Sequence, residues 1–215
     1  MNQIESRIQQ AYKLSQNLDR TEDYPPEWVE EWGIVDAKVI GKLAERENLD
    51  LVFTNPESIN SFDEINMEGS LCDFEGIDYI YTKPDLPVMS GRMLSVLRSV
   101  QNFPHQIIPI AIEDTEVAED SLTERSGKIN TDYVAVQLLE QLDIFDREKS
   151  VYRPSSISSH GVGRIRRLVL KVTPQGLPPI FRIIENSTYL YVSPEAKTAL
   201  EEAGITGIRF VDINF

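Results

Sequence analysis

Apolar positions along this chain change period several times, and each change marks an expected element. Residues 2–18 place Ile4, Ile8, Ala11, Leu14 and Leu18 three or four apart, a spacing that predicts a helix. Residues 19–31 are acidic and broken by Pro25-Pro26. A short helix is expected to start near Pro26, because proline suits a first turn, and Trp28 and Trp32 lie four apart just beyond. Val35, Val39 and Leu43 continue that period, and LDLVF at 49–53 reads as a short buried strand. Residues 55–75 are polar, with Pro56 and Gly69, and read as a long loop. Alternation returns at Ile77, Tyr79 and Tyr81. Ser90 is a suitable cap for a helix whose apolar face is Met93, Leu94, Leu97 and Val100. Ile108, Ile110 and Ile112 share one face of a strand over 106–112. Residues 132–139 read as a strand, and a helix from Val134 to Leu142 fits nearly as well.

The last third alternates more regularly. Strands are expected at 167–172, 180–184 and 188–192, with a hairpin turn at Glu185-Asn186-Ser187. Ser193 and Pro194 then open a helix with Ala196, Ala199, Leu200 and Ala203 as its buried stripe. Gly204 stops it, because the left-handed residue after a helix is least strained as glycine. Ile208 and Phe210 share a face of a final strand over 206–212. The whole predicts an α+β fold: a mixed or antiparallel sheet with the C-terminal helix packed on it. Residues 1–48 form an N-terminal helical segment able to pack on the main domain, 49–215.

Charge sharpens this picture. The chain of 215 residues carries a net charge of −14. Eight Lys and Arg against five Asp and Glu after Ser150 give +3 there, which leaves −17 on residues 1–150. A field of that sign repels nucleic acid and anionic membranes and speeds encounter with basic partners. The first residues show no charged-then-apolar leader, and no apolar run reaches the roughly 20 residues of a membrane span. Cys72 is the only cysteine, so no intramolecular disulfide forms, and a buried thiol is expected. These features together suit a cytoplasmic protein.

Candidate chemistry is sparse. His105 and His160 have no metal-binding neighbour at short spacing, so no zinc site is implied. His160 stands among serines, yet the nucleophile elbow G-x-S-x-G is absent. Gly161 and Gly163 precede a strand instead of a helix, the wrong order for a phosphate loop. Asp143 with Asp146, or Glu113 with Asp114, are conceivable acid–base or magnesium pairs, although nothing in their spacing selects them from the other acids. No catalytic residue, metal or cofactor is indicated. The acidic excursion carrying Glu113, Asp114, Glu116, Glu119 and Asp120 is the leading candidate binding surface, followed by Trp28 and Trp32.

Three segments, 78–100, 132–152 and 178–210, together resemble a group of bacterial polymorphic-toxin immunity proteins long known only as a domain of unknown function. The resemblance lies in Pro87, Ser90, Arg92 and Leu97, then Asp146 and Ser150, then the Phe181-Arg182 strand, and finally Gly204, Gly207, Arg209 and Phe210. Gln137 stands where the group often has asparagine. The resemblance covers about the last two-thirds of the chain and supplies no catalytic residues. It implies an immunity protein that is not an enzyme: a stoichiometric inhibitor of a cognate protein toxin with a basic surface. The alternatives are a small hydrolase using carboxylates or a Ser/His pair, and a regulatory interaction domain unrelated to toxins.

Overall fold

The computed structural model describes residues 9–16, 37–45, 53–54, 64–83, 85–116, 127–156 and 160–213. In chain order the elements are β1 (Tyr12–Gln16), β2 (Ala37–Val39), β3 (Ile65–Gly69), β4 (Thr82–Lys83), β5 (Val88–Ser90) and α1 (Gly91–Val100). There follow β6 (His105–Asp114), β7 (Ile129–Asn130), β8 (Tyr133–Leu138), β9 (Gln141–Leu142), β10 (Val151–Pro154) and β11 (Val162–Arg167). The chain ends with β12 (Ile180–Ile183), β13 (Leu190–Val192), α2 (Pro194–Glu202) and β14 (Ile208–Asp212). The protein is α+β and mostly sheet.

One sheet runs in the order β4-β2-β3-β6-β8-β5, with β7 also on β6. Besides the short pairing with β7, the long strand β6 serves two ladders. Residues 105–109 pair antiparallel with β8, and residues 110–114 pair parallel with β3. Pro109 sits where one ladder hands over to the other, a position where its missing N–H costs least. A second sheet has the order β14-β1-β13-β12-β9, and β10 with β11 forms a separate antiparallel ribbon.

Strand alternation sorts the side chains into three cores. On β8, Tyr133 and Ala135 join one cluster with Phe74, Ile108 and Ile110, while Val136 and Leu138 face the helices. On the second sheet, Leu14, Ile180, Leu190 and Val192 face the same helices, while Phe181, Ile183 and Tyr191 face Phe145 and Leu168. The central core therefore lies between the two sheets, with Met93 and Leu97 of α1 and Ala196 and Leu200 of α2 inside it. Both helices begin as their sequence indicates. Ser90 Oγ accepts from Met93 N, and Ser193 Oγ accepts from Ala196 N, with Pro194 in the first turn.

Several sequence expectations are corrected. The helix expected over 2–18 gives way to a strand at Tyr12–Gln16, paired with β13 on one side and β14 on the other; the rest of that range, apart from residues 9–11, lies outside the described residues. Val39 belongs to strand β2, not to a continued helix, because it pairs with Met67. Part of the expected loop at 55–75 is strand β3, whose Ile65 and Met67 are fully buried. Of the strand expected at 49–53, Phe53 alone is described, and it is helical together with Thr54; residues 49–52 lie outside the described residues. Residues 133–138 take the strand alternative, since β5 and β6 pair with them on both sides. The strand observed here is Val162–Arg167, which meets the strand expected at 167–172 only at Arg167, while Leu170 forms isolated bridges to Gln9 and Phe145. The turn after β12 is a 3-10 turn, Ile184–Asn186.

Candidate functional site

A cleft of about 610 Å³ opens where α1 begins, beside the end of β6. At its base is Asp78, 5% exposed. Its Oδ1 accepts from Ser90 Oγ at 2.6 Å and from Arg92 Nε at 3.1 Å. Its Oδ2 accepts from Arg92 Nη2 at 2.7 Å and from the Thr206 backbone N–H at 3.0 Å. Arg92 Nη2 also donates to Gly204 O at 2.7 Å. Burial alone pushes the Asp78 carboxyl up, but the bonds from Arg92, Ser90 and Thr206 outweigh it and hold the group below the usual carboxylate range.

This network gives the helix stop and turn at residues 201–210 a role. The helix stop at Gly204 presents its carbonyl to Arg92, and Thr206 follows in place to bind Asp78. Gly207, at φ +79°, then lets the backbone press against Tyr79. The residues that carry the resemblance at 87–97 and 204–210 thus include Ser90 and Arg92, which bond one carboxylate that the sequence did not single out, and Gly204, whose carbonyl accepts from the same arginine. Asp146 and Ser150 are likewise structural: Asp146 Oδ1 accepts from Glu148 N and Lys149 N, and Ser150 Oγ bonds both ways with the Val169 backbone.

The cleft walls are acidic. Five carboxylate residues line it, Glu75, Asp78, Asp114, Glu116 and Asp132, against two cationic ones, Arg92 and Lys128. Asp114 is brought inward by register. The alternation that buries Ile108, Ile110 and Ile112 continues to it, so it is 2% exposed, with Oδ1 accepting from Leu71 N and Glu116 N. Glu113 points to the opposite, exposed face of β6. Of the candidate binding residues, then, Asp114 and Glu116 enter one cleft and Glu113 does not; Glu119, Asp120, Trp28 and Trp32 lie outside the described residues. Glu75, Asp78 and Asp132 were missed, because they come from separate segments that only β-pairing brings together. The one legible sign was the Ser90-x-Arg92 pair at a helix start.

Cys72 also lines this cleft and is exposed, not buried as expected. Its Sγ is 3.2 Å from Ser70 Oγ. The Glu116 carboxylate, as a hydrogen-bond acceptor, pushes the thiol above its ordinary value. The histidines have structural surroundings. His105 Nε2 accepts from Arg98, which makes Nδ1 the protonated nitrogen that donates to Phe103 O at 2.7 Å, and the ring stacks on Phe103. His160 lies in an exposed turn, where its backbone oxygen accepts from Arg147 Nη2. Compared with known proteins, the chain matches no family model and no curated protein.

Proposed function

We propose that this protein is an immunity protein that binds and neutralises a cognate protein toxin, and that the acidic cleft receives a basic segment of that toxin. One observation carries the choice of surface: a roomy cleft with five carboxylate residues around a base already fixed by the Asp78 network. Fixed groups lose little freedom on binding, and a cationic side chain entering the cleft exchanges water for charge-assisted hydrogen bonds. The resemblance of the three segments supports the class of partner, and the acidic first 150 residues support its charge.

The test is co-expression in a bacterial host with the toxin domain encoded beside this gene. The expected result is a one-to-one complex and survival of the host. The paired substitution Glu116→Lys and Asp132→Lys should abolish protection without lowering the melting temperature. A toxin that is neither bound nor neutralised by the intact protein overturns the function. A complex undiminished by the paired substitution overturns the cleft.

A further inference from the structure

Between Lys149 and Ile184 the chain has seven Lys and Arg and no Asp or Glu, in a protein whose net charge is −14. Four of those cations, Arg153, Arg164, Arg166 and Arg167, stand exposed on the β10–β11 ribbon. Tyr152 and Ile165 pair across it and turn towards the core around Phe145 and Leu168, so Arg153 on one strand and Arg164 and Arg166 on the other point outward. Arg164 and Arg166 stand about 6–7 Å apart along their strand. The two strands lie close, since a Cβ at Gly163 would be 3.0 Å from Arg153 O. Arg167 Nη2 donates to Lys149 O at 2.8 Å, while Arg153, Arg164 and Arg166 form no ion pair among the described residues.

The ribbon packs on the core beyond the second sheet, whereas the acidic cleft takes Phe74, Ile77 and Tyr133 from the core beyond the first. The two patches therefore lie on opposite sides of the layered fold, and a single copy cannot bring them together. Of the cleft's carboxylates, Glu75 and Asp132 are exposed and Glu116 is half-buried, so all three are open to an incoming cation. A guanidinium offers a carboxylate two parallel N–H donors, which makes arginine the fitting counterpart. A nucleic acid would meet the same arginines, but its charge runs on past the ribbon into the field of an acidic chain.

We propose that the arginine face of the β10–β11 ribbon docks on the acidic cleft of a second copy of this chain, in a head-to-tail contact. Such a contact leaves one ribbon and one cleft free, so it extends with concentration instead of closing on itself. Two copies repel at long range, but at physiological salt that repulsion is damped beyond about 8 Å, while charges in contact still attract. Exposed ion pairs contribute little singly, so the contact is weak and forms at high protein concentration. A basic toxin segment then competes with the ribbon for one cleft. The contact rests on the charge of the cleft and needs no toxin, so it and the survival test above can fail separately.

The test is sedimentation velocity of the full chain over rising protein concentration. At about 0.15 M salt the average mass should climb above that of one chain, and at about 1 M, where the screening length is about 3 Å, it should fall back. Arg164→Glu with Arg166→Glu reverses the ribbon, and Glu116→Lys with Asp132→Lys reverses the cleft. Each doubly substituted protein should keep its melting temperature and stay monomeric alone. Mixed together they should associate, because each reversed patch then meets its opposite on the other protein. An unaltered protein that stays monomeric at every concentration overturns the contact. So does self-association that persists in either variant, or variants that fail to associate when mixed. The last arm adds a single-stranded RNA oligonucleotide at 0.15 M salt; binding that exceeds self-association and is lost on ribbon reversal assigns the ribbon to a nucleic acid and overturns the proposal.

Discussion

Gly207 and Gly204 both hold positive φ, at +79° and +62°, yet they differ in what surrounds them. A Cβ at Gly204 meets nothing within 4 Å, while one at Gly207 would stand 2.6 Å from Ile77 Cγ2 and closer still to Tyr79 O. Gly204→Ala should therefore cost only the left-handed penalty, about 1–2 kcal/mol. Gly207→Ala adds a backbone clash to that penalty, and denaturant melts should show it clearly the more damaging of the two. Asp78 offers a second test at this scale. Its carboxyl is held below the unfolded value by its partners, so its contribution is present above about pH 4 and fades as pH falls through the folded value. Asp78→Asn should destabilise by about 1–3 kcal/mol at neutral pH and flatten the acid limb of the stability profile. The Cys72 thiol is held up chiefly by Glu116, so its alkylation at neutral pH should be slow for an exposed cysteine. Glu116→Gln should speed it, as a timed iodoacetamide reaction would report.

Helix α2 is an element whose sequence and environment agree. Ser193 caps it, Pro194 opens it, and Ala196 and Leu200 are fully buried against the central core. Leu200→Ala should cost about 2–5 kcal/mol in urea unfolding; a loss below about 0.5 kcal/mol would show that the core can collapse around the gap. Strand β6 shows the same agreement and one consequence of it. A period of two places every second residue inward whatever its chemistry, so the strand that buries three isoleucines also delivers Asp114 to the cleft. Strand β1 shows the opposite. Its residues fit a helical period, but pairing on both edges, Tyr12 with Val192 and with Asp212, outweighs that local preference.

Across the whole molecule, charge is arranged more finely than a net value conveys. The chain is strongly acidic, and the cleft gathers carboxylates from β6 and from the segments flanking α1 and β7. The β10–β11 ribbon instead carries exposed Arg153, Arg164, Arg166 and Arg167. If the cleft steers a basic partner, the association rate should fall as salt rises from low to moderate, over a screening length of about 8–10 Å. Stopped-flow mixing of Glu116→Lys with Asp132→Lys should show a slower rate and a flatter salt dependence than the unaltered protein. Equal rates at both salt concentrations would place the encounter surface elsewhere.

The local sequence determined what depends on neighbours within a turn or two. It marked the Ser90 and Ser193 caps, the stop at Gly204, the alternation of β6 and the α+β class, because caps and periodicity act over three or four residues. It also placed Asp114 and Glu116 in an acidic excursion, although not in a cleft. Tertiary structure alone decided the rest. Strand β1 exists because its hydrogen-bonding partners come from the far end of the chain. Asp78 became the base of the cleft because helix α1 and the turn after Gly204 converge on it. Arg182 is one position of an expected strand until packing between the sheets buries it, because burial belongs to the packed molecule and no window of sequence contains it.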